Sequence, residues 1–117
     1  MNIEELREYC LMKKGVSESL PFDEYTLVFK VLNKMFALVP LNRELSISLK
    51  CEPEKAIELR EHYSYVLPAW HMNKKHWNTV IINDTVSNCF LKEWIDDSYR
   101  IIANNLTKKQ KEELESL

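Results

Sequence analysis

One glycine, Gly15, has to serve all 117 residues of the chain. That scarcity removes whole classes of fold and chemistry. Phosphate-cradling loops and dinucleotide fingerprints need several glycines at fixed spacing, and a nucleophile elbow needs two. It also moves the tight turns onto asparagine, which tolerates a positive φ better than other residues with a side chain. Asn33, Asn42 and Asn83 are therefore expected at turns, with Asn33-Lys34 as a two-residue hairpin connection and Asn83-Asp84 as a later one. Gly15 follows a helical pattern and suits the left-handed residue that closes many helices.

That first helix is expected over Ile3–Lys14. Asn2 and Glu5 make a capping box, Ile3, Leu6 and Cys10 share a face with Tyr9 beside them, and Lys13 and Lys14 favour the negative end of the dipole. From Ser19 to Lys50 the period changes to two. Leu45, Ile47 and Leu49 alternate with Ser46, Ser48 and Lys50, the mark of an antiparallel sheet with one buried face. Residues 27–32 and 35–39 are more uniformly apolar and predict central strands. Pro53 opens a helix to about Tyr63, burying Ala56, Leu59 and Tyr63. A strand at Trp77–Ile82 precedes a long helix capped by Ser87 and ending near Asn105, whose stripe is Leu91, Trp94, Ile95 and Ile102, with Ser98 as its small member. Thr107 and Gln110 cap a short charged helix with Leu114 and Leu117 as its apolar contacts. Strands in a block with helices before and after predict an α+β domain over residues 1–117, an antiparallel sheet packed against N-terminal, middle and C-terminal helices.

Length and composition suit a chain that buries its own core without staples. Cys10, Cys51 and Cys89 are odd in number and widely spaced, which argues against a disulfide framework or a cysteine-rich metal site. Cys10 and Cys89 fall in helices on or near apolar faces, where a thiol is inert packing, while the helix start near Cys51 would lower its pKa. No histidine is placed beside any of them, so catalysis is not expected. His62, His71 and His76 fit no common metal spacing, and neither a metal nor a cofactor is implied. The acidic start Met-Asn-Ile-Glu-Glu and the lack of a long apolar run predict a cytoplasmic protein without membrane contact.

The densest polar stretch is Trp70-His71-Met72-Asn73-Lys74-Lys75-His76-Trp77-Asn78-Thr79, which runs straight into the apolar strand. Cations, amides and indoles together can contact phosphate and stack on bases. The plainer reading makes Trp77 a core plug, Asn73 a turn cap and His76 a partner of a neighbouring backbone group. A formal charge of -2 carries no basic excess, so contact with nucleic acid would rest on a local patch.

The run His71-Met72-Asn73-Lys74, then His76-Trp77, then Thr79-Val80 resembles the signature of the MmcQ/YjbR family of small bacterial proteins. Tyr9-Cys10, Lys14-Gly15, Phe36-Ala37, Ser48-Leu49-Lys50, Pro53, Asp97-Ser98-Tyr99 and Leu106-Thr107 agree with it in order and spacing, so the resemblance spans the chain. It implies a CyaY-like α+β fold, likened to a double-wing arrangement, and a DNA-binding, regulatory module. On that expectation His71, Asn73, Lys74, Lys75, His76, Trp77 and Thr79 form the candidate site, with DNA as partner. The alternative is a non-catalytic module that binds a small molecule or a protein in a polar pocket at His71–Thr79.

Overall fold

A computed structural model describes residues 1–69 and 72–117; Trp70 and His71 lie outside the described residues. The order is α1 (Ile3–Leu11), β1 (Val16–Ser19), β2 (Thr26–Val31), β3 (Lys34–Pro40), β4 (Ser46–Lys50), α2 (Pro53–His62), β5 (Val66–Pro68), β6 (Trp77–Ile81), α3 (Asn88–Asn104) and α4 (Lys108–Glu115). The strands form one antiparallel sheet in the order β1-β2-β3-β4-β6-β5. This is the expected α+β architecture.

Four strands precede α2, within the three or four expected there, while β5 goes beyond the single strand expected after it. Edge strand β1 reads Val-Ser-Glu-Ser and β5 has only three residues, so neither is long or apolar enough to declare itself by alternation. The helix starts follow from their caps. Asn2 and Glu5 close a reciprocal box, Ser87 accepts from the Cys89 and Phe90 amides, and Thr107 pairs with Gln110. The end of α1 was misplaced: it stops at Leu11, so Lys13 and Lys14 lie in the turn rather than in the last helical turn. There the Lys13 ammonium pairs with Asp96 of α3 and lies over the Tyr9 and Tyr99 rings, which outweighs any dipole contact.

Gly15 is left-handed at φ 74°, and a Cβ there would stand 2.6 Å from Leu114 of α4. The β2–β3 hairpin turns at Leu32-Asn33, one residue earlier than expected, with φ of 44° and 71°. A pair of positive φ values matches the twist of the flanking strands, which is why the turn recruits Leu32 against its own preference. Asn42 and Asn83 do not have positive φ. The Asn83 side chain instead accepts from the Thr85 amide, an Asx turn that needs no left-handed residue.

The main core lies on one face of the sheet. Leu27, Phe29, Val31, Val39, Ile47 and Val80 meet Leu6 and Cys10 of α1 and Leu91, Ile95 and Ile102 of α3. A bulge in β3 places Phe36 and Ala37 together on this face. The β3–β4 ladder pairs Ala37 with Leu49 and Leu38 with Ser48, and the next pair in that register would be Phe36 and Lys50. Between them sits the hydroxyl of Ser98, wholly buried. It donates to the Phe36 carbonyl at 2.6 Å and accepts from the Lys50 amide at 2.9 Å. The small residue in the apolar stripe of α3 thus completes the sheet from above. Tyr99 packs edge-on against Phe36 and donates to the Lys14 carbonyl at 2.5 Å, holding α3 to the end of α1.

Ser98→Ala should leave both backbone groups without that hydroxyl and cost about 1–3 kcal/mol. Urea denaturation followed by circular dichroism should show a lowered midpoint with unchanged slope.

Candidate functional site on the uncovered sheet face

Period-two alternation fixes which side chains leave the core. Thr26 and Val28 of β2, Leu38 of β3, Ser46 and Ser48 of β4, and Trp77 and Thr79 of β6 all point away from the helices. A face of this kind is usually wet. Here Val28 is fully buried and Ser46 is 5% exposed, so chain from beyond the strands lies over it.

The β1–β2 and β3–β4 connections make one wall. Asp23 fixes the first by accepting from the Tyr25 amide at 2.8 Å, the Thr26 amide at 2.7 Å and the Thr26 hydroxyl at 3.2 Å. These backbone bonds, with the nearby Arg43 cation, hold its carboxyl below the usual range. The Leu41 amide donates to the Tyr25 carbonyl at 2.7 Å and ties the two loops together. Met72 and Asn73 form the opposite wall. Between the walls is a cleft of about 600 Å³. Its floor carries Leu38 and Met35 beside the hydroxyls of Ser46, Ser48 and Thr79, and its sides carry Phe22 and Trp77.

The sequence motif divides between this cleft and its support. Asn73, Trp77 and Thr79 line it. Asn73 also builds the turn, its side chain accepting from the Lys75 amide at 3.0 Å and its carbonyl from the His76 and Trp77 amides. Trp77 is 7% exposed, buried as a plug would be, but on the helix-free face and outside the main core. Thr79 shares a 2.8 Å hydrogen bond with Ser48 across the strands. Lys74 and Lys75 are exposed on the turn, and His76 is half-buried, its carbonyl accepting from the Cys51 amide. His71 lies outside the described residues.

Asn78 points the other way and anchors the motif. Its side chain donates to the Ala56 carbonyl of α2 and accepts from Arg60, which also donates to the Lys74 carbonyl at 2.8 Å. Sequence reasoning missed Phe22, Met35, Leu38, Arg43 and Ser46 as partners of the motif. The signal that could have found some of them is the hydroxyl row of β4, Ser46 and Ser48, opposite Thr79 in β6.

Cysteine positions correct two expectations. Burial pushes the Cys51 thiol up, against the lowering that the helix start suggests. Cys89 is exposed rather than packed. Cys10 is buried, and burial raises it to about 12. Among the described residues no three His, Cys, Asp or Glu side chains gather as metal ligands, and no helix is long and apolar enough to cross a membrane.

Comparison with known proteins gives one family. A family model, YjbR, matches residues 11–101. The chain is 34% identical to Escherichia coli K12 YjbR over 118 residues, covering all of both chains. It is 24% identical to Bacillus subtilis YyaQ over 113 residues, covering 84% of this chain and 95% of that one. The crystal structure of Deinococcus radiodurans DR2400 superposes with a TM-score of 0.89 at 39% identity, covering 97% of this chain and 87% of that one. A Pseudomonas syringae crystal structure follows at 0.76 and 27% identity, covering 87% and 99%.

Proposed function

The chain belongs to the YjbR family, and we propose that it is a non-catalytic, cytoplasmic module that binds a small molecule in the cleft on the uncovered sheet face. The observation that carries this is the burial of Val28 and Ser46 on the face without helices, under loops that leave about 600 Å³ between them. That volume falls within the roughly 300–1,000 Å³ of small-molecule sites. The lining has their character: aromatic and aliphatic surface with a few convergent hydroxyls. Among the described residues the lining holds no histidine, cysteine or lysine, the Asp23 carboxylate is turned to the amides and hydroxyl of its own loop, and the buried thiol of Cys10 belongs to the opposite face. Rigid strands supply the floor and fixed loops the walls, so the cleft exists before any ligand arrives.

A neutral, environment-sensitive probe tests the site. N-phenyl-1-naphthylamine should bind saturably, one per chain, with enhanced emission. Ser48→Phe should abolish binding while leaving the circular dichroism unchanged, because an aromatic residue suits a strand and fills the middle of the floor. Binding unaltered by Ser48→Phe, or no binding to the wild-type chain, would contradict the proposal.

A DNA-binding reading draws on the exposed Lys74 and Lys75, presented on a turn that Asn73 and Arg60 hold in place. On that reading a duplex is bound at low salt with an affinity that falls steeply as salt rises. The double variant Lys74→Ala/Lys75→Ala should weaken it and flatten the slope. A flat titration at low salt would remove this reading.

A further inference from the structure

We infer that the cleft takes an amphiphilic monoanion, a flat apolar body with one carboxylate-like or sulfonate-like group, and that Arg43 receives the anionic group. The inference rests on the cleft being a small-molecule site, and adds the class of its ligand.

The chain has four arginines, and three of them are engaged elsewhere. Arg7 pairs with Glu18, Arg100 with Asp97, and Arg60 donates to the Lys74 carbonyl and the Asn78 amide oxygen. Each is committed to the fold. Arg43 takes part in none of the ion pairs formed among the described residues, although it lines the cleft. A guanidinium offers five donors in a planar fork suited to carboxylate or sulfonate oxygens. Asp23 does not consume that capacity. Its oxygens are turned to the Tyr25 and Thr26 amides and the Thr26 hydroxyl, so its attraction to Arg43 acts across a gap. Glu24 and Glu44 lie in these loops, next in sequence to Asp23 and Arg43, but do not line the cleft. Among the described residues, Arg43 and Asp23 are the only charged ones in the lining.

The rest of the lining says what the anion is attached to. Phe22 offers a ring face and Trp77 the small part of its indole that is exposed, while Met35, Leu38 and Met72 offer flexible apolar contact. Phe22 is 64% exposed, a large apolar side chain that would lose that exposure against a flat ligand. Hydroxyls on the floor can donate to or accept from a single polar substituent, since either member of the Ser48–Thr79 pair can be the donor. Cation at the rim, aromatic sides and hydroxyls below describe one ligand orientation: anion outward, apolar body inward.

The test compares two probes on the whole chain that differ by one sulfonate. These are 1-anilinonaphthalene-8-sulfonate and neutral N-phenyl-1-naphthylamine. Arg43→Gln should weaken the anionic probe by about tenfold or more, the scale of a charge-assisted hydrogen bond, and leave the neutral probe unchanged. Arg43→Lys should recover part of the loss, and added salt should weaken only the anionic probe. If both probes bind and Arg43→Gln leaves the anionic probe unchanged, the anion assignment is overturned while the cleft stands. If Lys74→Ala/Lys75→Ala removes the preference and Arg43→Gln does not, the assignment to Arg43 is overturned. If neither probe binds, the cleft reading fails and the inference fails with it.

Discussion

Alternation along a β-strand sends successive side chains to opposite faces, so a sheet that takes its helices on one side must dispose of a second row of residues on the other. In this chain the helix side is settled by burial. Phe29, Phe36, Ile47, Leu91 and Ile95 are fully buried there, and Ser98 joins α3 to the backbone of β3 and β4 at the point where their ladder stops. Burial also fixes the register, because a one-residue slip would carry Leu49 and Ile47 to the wrong face. With sidedness fixed, the row formed by Thr26, Leu38, Ser48 and Thr79 has no helix to meet. Loops from both ends cover it in part, and the space they leave is the cleft.

The same constraint explains why the motif divides as it does. Trp77 and Thr79 face the cleft, while Asn78 between them faces α2 and bonds Ala56 and Arg60. Neighbouring polar residues therefore serve different ends for no reason beyond strand parity. Asn73 serves both, closing a turn with its side chain and lining the wall. A substitution at Asn78 acts through the docking of a helix, and one at Thr79 acts through the floor of a site.

Much of the architecture was legible in the residues because it depends on local chemistry. Capping boxes at Asn2 and Thr107, Pro53 at a helix start and the Leu45–Lys50 alternation each describe their own element. Turn conformation was less legible. Leu32 takes a positive φ because the hairpin twist requires it, whereas Asn42 and Asn83 do not, the loop at Asn83 being closed by its side-chain bond to the Thr85 amide. Strands β1 and β5 are edges whose pairing comes from neighbours rather than from their own pattern. The site was half legible. Asn73, Trp77 and Thr79 stand in one stretch, but Phe22, Leu38 and Arg43 reach the cleft only through the fold, and no short-range pattern links them to the motif.

A ligand held on the helix-free face leaves a different trace from one held on the helix side or at the lysine turn. Amide-resolved NMR during titration with 1-anilinonaphthalene-8-sulfonate separates them most directly. Saturable shifts are expected at Thr26, Leu38, Ser46, Ser48 and Thr79, with the amides of Leu91 to Ile102 in α3 unmoved. Shifts centred on α3, or spread evenly over both faces, would contradict a site on the helix-free face.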